Sequence, residues 1–176
     1  MASRLFFDPL VALRAAPLVS STCSLLFAWD QHFFLGLLNR PENRPHSRPL
    51  LRSYFSSFFR RALPFVVVTI AASTWLGIGN LYARPDALVA SSSLRWYAAG
   101  SALAAAHLLY VPAIAPSCRA LICADGPAAG ADDDVNAYLD DWLTVNARRM
   151  LTVDLAAWAA FVVAVTRSLP HSRVRE

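Results

Sequence analysis

The sequence predicts an all-α fold: a four-helix transmembrane bundle with an interfacial amphipathic helix before the second span. Three observations predict it. Hydrophobic residues make up 56% of the 176-residue chain and charged residues only 16%, against about 25% charged in a soluble domain. Mean hydropathy is +0.40. The apolar material falls into four blocks that each approach the ~20 residues a helix needs to cross hydrocarbon. Residues 1–176 are therefore read as one integral membrane domain, with spans near 17–38, 63–82, 96–115 and 146–166 and no room for a separate soluble domain.

The first block carries Arg14, Pro17, a run from Ser20 to Ser24, and Asp30-Gln31-His32. A span from Pro17 puts that proline in the first turn, where its missing N–H costs least. The rival reading is a cleaved signal peptide, against which stand a long apolar region and the lack of a small-x-small cleavage site. Residues 40–61 then set six arginines against one glutamate, a loop of formal charge +5. Within it Leu51, Tyr54, Phe55, Phe58 and Phe59 recur at helical spacing, as in a helix lying in the headgroup layer. The same pattern also suits the lead-in turns of the second span.

The second block ends in Trp75, Asn80 and Tyr82, as at an aromatic belt, and Gly77 and Gly79 permit close approach of a helix or a ligand. The third is rich in alanine, has His107 near its middle, and Pro112 and Pro116 mark its expected exit. Residues 117–141 form a connector of charge −5, broken by glycine and proline. Asp132-Asp133-Asp134 reads as the N-terminal cap of a last helix running from near Asp132 to near Ser168. Four spans place the +5 and −5 loops on one side of the membrane, where they can dock. Arginine counts leave orientation open.

Composition also excludes function classes. All 16 basic residues are arginine, which rules out Schiff-base chemistry on an internal lysine. Basic residues clustered at membrane borders suit lipid headgroups rather than nucleic acid, so no nucleic-acid partner is expected. Cys23, Cys118 and Cys123 make no C-x-x-C pair and no disulfide framework; a local Cys118–Cys123 bridge would need an oxidising lumen.

The chemistry-bearing residues gather on the last two helices. His107 and Asp154 both interrupt apolar runs, and sequential helices are usually neighbours. A buried carboxylate beside a neutral imidazole can act as a general base; it can equally be a structural interhelical bond. Trp142, Asn146, Arg149 and Val153 share one helical stripe. Facing the bundle, Asn146 and Arg149 would hold an oxyanion at the mouth of an apolar cavity; facing outward, Arg149 would snorkel to phosphate. The catalytic candidates are thus Asp154, His107, Arg149 and Asn146, with Trp142, Trp158, Asn80 and Trp75 as substrate-binding candidates. Asp30 and His32 read as a polar helix end. No metal-ligand spacing, phosphate loop or dinucleotide fingerprint is present, so neither a metal nor a cofactor is expected.

The four-span layout, Asn146-x-x-Arg149 opening the last helix, and Leu151-Thr152-Val153-Asp154-Leu155-Ala156-Ala157-Trp158 together resemble fungal small membrane proteins of the anthrone oxygenase-like family. The resemblance implies cofactor-independent oxygenation of polyketide anthrones, with a base that generates a carbanion or phenolate and a polar residue that holds the oxyanion. Only Asn146 and Arg149 match a recurring family pattern; the arginine loop and the aspartate-rich connector depart from it.

The expected function is that of an integral membrane enzyme of secondary metabolism, in the endoplasmic reticulum or another endomembrane, oxygenating a lipophilic anthrone-like intermediate. Its partners are that small molecule and the bilayer, with a second copy or pathway enzymes as further candidates. One alternative is a cofactor-free cyclase, isomerase or pericyclase. Another is a non-enzymatic scaffold or transporter subunit.

Overall fold

The computed structural model describes residues 8–123 and 134–169. Within them four long apolar helical segments, each long enough to cross a membrane, make an all-α integral membrane bundle. The segments are α1 (Pro9–Leu38), α3 (Leu51–Tyr82), a third built from α5 (Leu94–Ala106), a 3-10 turn (His107–Tyr110) and α6 (Val111–Ile122), and a fourth built from α7 (Val135–Arg149), a π-helical turn (Met150–Asp154) and α8 (Leu155–Ser168). Two short helices, α2 (Arg44–Ser47) and α4 (Pro85–Ala90), sit in the connections. α1 packs on α3, α3 on α5, α5 on α8 and α8 on α1, which closes the ring.

The first two helices begin earlier than the expected spans and end where expected, while the third and fourth segments exceed them at both ends, for local reasons. α1 begins at Pro9, with Asp8 capping it through a 2.8 Å bond from the Leu10 amide. Pro9 thus holds the first-turn place expected of Pro17. α3 runs unbroken from Leu51, so the aromatic segment before the second span is its lead-in, and Leu51 and Phe55 are buried in the bundle. Pro112 and Pro116 do not end the third segment. Pro112 lies in the first turn of α6, which restarts the helix after the 3-10 turn and carries it to Ile122. Asp134 caps α7 by accepting from the Asn136 amide at 3.2 Å; Asp132, Asp133, the connector glycines and the C-terminal tail lie outside the described residues.

Two apolar cores stack along the bundle. One joins Leu35, Leu51, Phe55, Leu121, Leu139 and Trp142; the other joins Leu88, Tyr97, Ala104, Ala157, Phe161 and Ala164. Gly77 and Gly100 make the second possible, because a Cβ on Gly100 would collide with the Phe161 ring and one on Gly77 with Ser101 Oγ while crowding that ring. Gly79, by contrast, has only Leu13 at van der Waals distance. The oppositely charged loops do meet. Arg44 pairs with Asp134 at 3.2 Å and Asp140 at 3.1 Å, and Asn39 and Asn136 bond each other beneath. Cys118 and Cys123 are free thiols.

Candidate active site

Between the two cores lies a layer of buried polar side chains. His107, Asn146, Arg149 and Asp154 are all at most 7% exposed. His107 Nδ1 lies 2.9 Å from Asp154 Oδ1, and His107 Nε2 lies 2.7 Å from Arg149 Nη1. A guanidinium can only donate, so Nε2 is the acceptor and the imidazole proton resides on Nδ1, pointing at the carboxylate. The arrangement therefore fixes a neutral His107 in one tautomer. Arg149 Nε and Asp154 Oδ2 close the ring as an ion contact at 3.3 Å, too poorly aligned for a hydrogen bond. Arg149 and Asp154 cancel in charge, so burial of each is offset by the other.

Asn146 anchors this ring to the scaffold. Its Oδ1 accepts from Arg149 Nη2 at 2.7 Å, and its Nδ2 donates to the Ala28 carbonyl of α1 at 3.2 Å. Of the five N–H groups of a guanidinium, two are bonded, to His107 and Asn146, and the one on Nε makes only the ion contact with Asp154. One on each terminal nitrogen remains.

The π-helical turn explains why these residues meet. Positions 149 and 154 are five apart, which in an α-helix sets them about 140° around the axis from each other. A π turn closes its hydrogen bonds at i→i+5 and stacks such positions one above the other. Met150–Asp154 adopts that turn, and so Asp154 joins the Asn146–Arg149 stripe. The 3-10 turn beginning at His107 faces it, and Tyr110 Oη sits 2.9 Å from Thr152 Oγ1 as a second bond between the two irregular turns.

Arg149 and His107 line a cavity of about 390 Å³. Its walls are otherwise largely apolar: Phe58, Phe59 and Ile70 of α3, Ile114 and Cys118 of α6, and the face of Trp142. Leu63, Val67, Leu108 and Val111 also line it, and each is 45–58% exposed on the outer surface of the bundle. The cavity thus opens sideways, between α3 on one side and the 3-10 turn with α6 on the other, through an apolar rim. On the other side of His107 and Asp154, Ser21, Ser24 and Ser73 line a chamber of only about 20 Å³.

The structure brings five of the eight sequence-derived site residues together: Asp154, His107, Arg149, Asn146 and, on the cavity wall, Trp142. It places the other three elsewhere. Trp158 donates its indole N–H to Thr22 Oγ1 at 3.0 Å across the α8–α1 contact. Asn80 is fully buried and spends its amide on the Leu13 and Leu76 carbonyls. Trp75 is 68% exposed on the outside of α3. Gln31 of α1, buried and lining the cavity, is a site residue that helical phasing of α1 against Ala28 and Leu35 would have indicated. Among the described residues no three His, Cys, Asp or Glu side chains converge as a metal ion would require.

Comparison with characterised proteins finds three fungal relatives. Epoxidase pydX of an Acremonium species is 30% identical over 161 residues, covering 92% of this chain and 96% of the relative. Probable epoxidase scpX of Mollisia scopiformis is 29% identical over 157 residues, covering 89% and 96% respectively. Epoxidase gkaX of Penicillium citrinum is 29% identical over 157 residues, covering 89% and 94%. No family model matches the chain, and no solved structure matches it. The relatives carry the name epoxidase, where the motif resemblance led to anthrone oxygenases.

Proposed function

Because the chain belongs to the family of small fungal membrane epoxidases that includes pydX, we propose that it is an oxygenating enzyme of secondary metabolism that epoxidises a lipophilic alkene delivered from an endomembrane such as the endoplasmic reticulum. The observation that carries this reading is the pair of uncommitted Arg149 N–H groups beside a neutral His107, both on the wall of an apolar cavity open to hydrocarbon. A greasy substrate enters between α3 and α6 without crossing water. Trp142 and the α3 and α6 side chains hold its carbon skeleton by contact area.

The reaction consumes one molecule of dioxygen. One oxygen atom bridges the two alkene carbons, forming two C–O bonds at the expense of the C–C π bond. The other is reduced to water by two electrons and two protons from an organic reductant of the hydroquinone class, which leaves as the quinone. The chain's own side chains handle charge and protons. The two spare N–H groups of Arg149 hold the negative oxygen that develops when dioxygen is reduced, as a bidentate clamp in a low-dielectric cavity. The oxygen competes with His107 Nε2 for Arg149 Nη1, and the Nε2 so freed takes the proton from the reductant's hydroxyl. Asp154, already bonded to Nδ1, stabilises the imidazolium so formed. Asn146 keeps Arg149 in place. Oxygenation of an anthrone-like carbon acid would use the same base and clamp, with the acidic C–H as the proton donor; the epoxidase relatives favour the alkene.

The test compares metabolites of the native host with those of a strain carrying Asp154→Asn under labelled dioxygen, with protein level checked in membranes. The expected result is accumulation of an alkene and loss of a product one oxygen heavier that carries a single labelled atom. Loss of an unlabelled isomer of the accumulated compound would replace oxygenation with cyclisation or isomerisation. An unchanged profile at normal protein level would remove Asp154 from the chemistry.

A further inference from the structure

Of the polar side chains that oxygen handling does not use, Arg119 lies at the exposed rim of the cavity and Gln31 is buried within it. Gln31 is 6% exposed, lies on the inward stripe of α1 with Ala28 and Leu35, and lines the cavity from that side. Its carboxamide makes no hydrogen bond to any described residue. A primary amide offers two donors and an acceptor, and those of Gln31 stay open to the cavity rather than being spent on the protein. Every other buried amide of the bundle is bonded: Asn80 to Leu13 and Leu76, Asn136 to Asn39 and Ser47, Asn146 to Ala28 and Arg149. Gln31 differs from them only in facing the cavity.

Its position relative to the reacting groups is fixed. The Ala28 carbonyl, one turn before Gln31 on α1, receives the bond from Asn146, and Asn146 in turn holds Arg149. The α1 backbone that carries Gln31 is therefore joined to the oxyanion clamp by two hydrogen bonds. The exposed residues at the cavity mouth come from α3, the 3-10 turn and α6, whereas Gln31 comes from α1.

We propose that Gln31 is the specificity-determining residue of this cavity. Its amide hydrogen-bonds a hydroxyl or carbonyl oxygen of an otherwise hydrocarbon substrate, and that bond sets which double bond lies against Arg149 and His107. The substrate class is thus an oxygenated polyene rather than a plain hydrocarbon. The inference rests on reading the cavity as the substrate chamber, but its test involves no turnover. Failure of oxygenation and failure of recognition are therefore separable.

The experiment uses the full chain in lipid nanodiscs, with farnesol and its hydrocarbon counterpart farnesene as probes. Binding is followed by the fluorescence of Trp142, with Trp142→Phe as the blank. The wild-type protein is expected to bind the alcohol roughly three- to tenfold more tightly than the hydrocarbon, the range of one net hydrogen bond. Gln31→Leu is expected to erase that preference while keeping affinity for farnesene. It is also expected to hold or raise the unfolding temperature of the empty protein, because an unpartnered amide is replaced by an apolar side chain of similar size. A lowered unfolding temperature would reveal a structural partner for the amide and overturn the proposal. The same preference in both proteins, or binding of neither probe by the wild type, would overturn it as well.

Discussion

Two of the places where the bundle buries polar side chains are built differently. At the end where α1 begins and α8 stops, Tyr97 Oη donates to the Arg14 carbonyl at 3.0 Å, and Arg14 Nη1 reaches the Ser168 carbonyl at 3.4 Å. Nearby, Asn80 bonds the Leu13 carbonyl at 2.8 Å. Arg14 attaches to the last turn of α8, where carbonyls lack intrahelical partners and a cation suits the dipole, and Asn80 to the Leu13 carbonyl, whose helical partner four residues on is Pro17, without an N–H. In the middle of the bundle, His107, Arg149 and Asp154 attach chiefly to one another and border a cavity. The first arrangement completes secondary structure. The second keeps hydrogen-bonding capacity in reserve, and only a group with capacity in reserve can act on a ligand.

That contrast can be broken most directly at Asp154. Asp154→Ala leaves Arg149 buried without its counter-charge and is expected to destabilise the protein by about 3–5 kcal/mol, read as loss of folded protein in membranes. Asp154→Asn preserves shape, and with His107→Gln it is expected to lower turnover by at least ~100-fold at near-normal protein level, read as product formed per unit of folded protein. Gly77→Ala drives a methyl into Ser101 and against Phe161; a cost of about 1–3 kcal/mol is expected, with turnover per folded molecule unchanged. Tyr97→Phe at the helix-end cluster removes two bonds, to the Arg14 carbonyl and to Ser168 Oγ, and is expected to cost about 1–2 kcal/mol, again without effect on turnover. The smallest effect belongs to the docked loops, where Arg44→Ala should shift stability by less than about 1 kcal/mol because its ion pairs are solvent-screened. Thermal unfolding in detergent at low and high salt checks it.

How far the sequence disclosed this depended on which regularity each feature obeyed. The four spans were legible because hydrophobic length needs no knowledge of packing. The shared stripe of Trp142, Asn146 and Arg149 was legible because α7 keeps the period of 3.6. Asp154 was legible as a buried charge but not as a partner of Arg149, since the π turn that aligns them breaks that period and leaves no mark in composition. The true start of α1 was written in Asp8-Pro9, a cap followed by a first-turn proline. Asn80 and Trp75 were drawn toward the site only by lying near an interface, and orientation around α3 sends one to the Leu13 carbonyl and the other outward. Gln31 was visible as an interruption, but its meaning needed the cavity.

The central claim is that the middle polar layer does chemistry while the helix-end layer only holds the bundle together. The most direct measurement is incorporation of labelled dioxygen into product by membranes carrying His107→Gln and, in parallel, Tyr97→Phe, each normalised to folded protein. Loss of the labelled product in the first with full retention in the second is the predicted result. Retention in His107→Gln, or an equal loss per folded molecule in both, would contradict it.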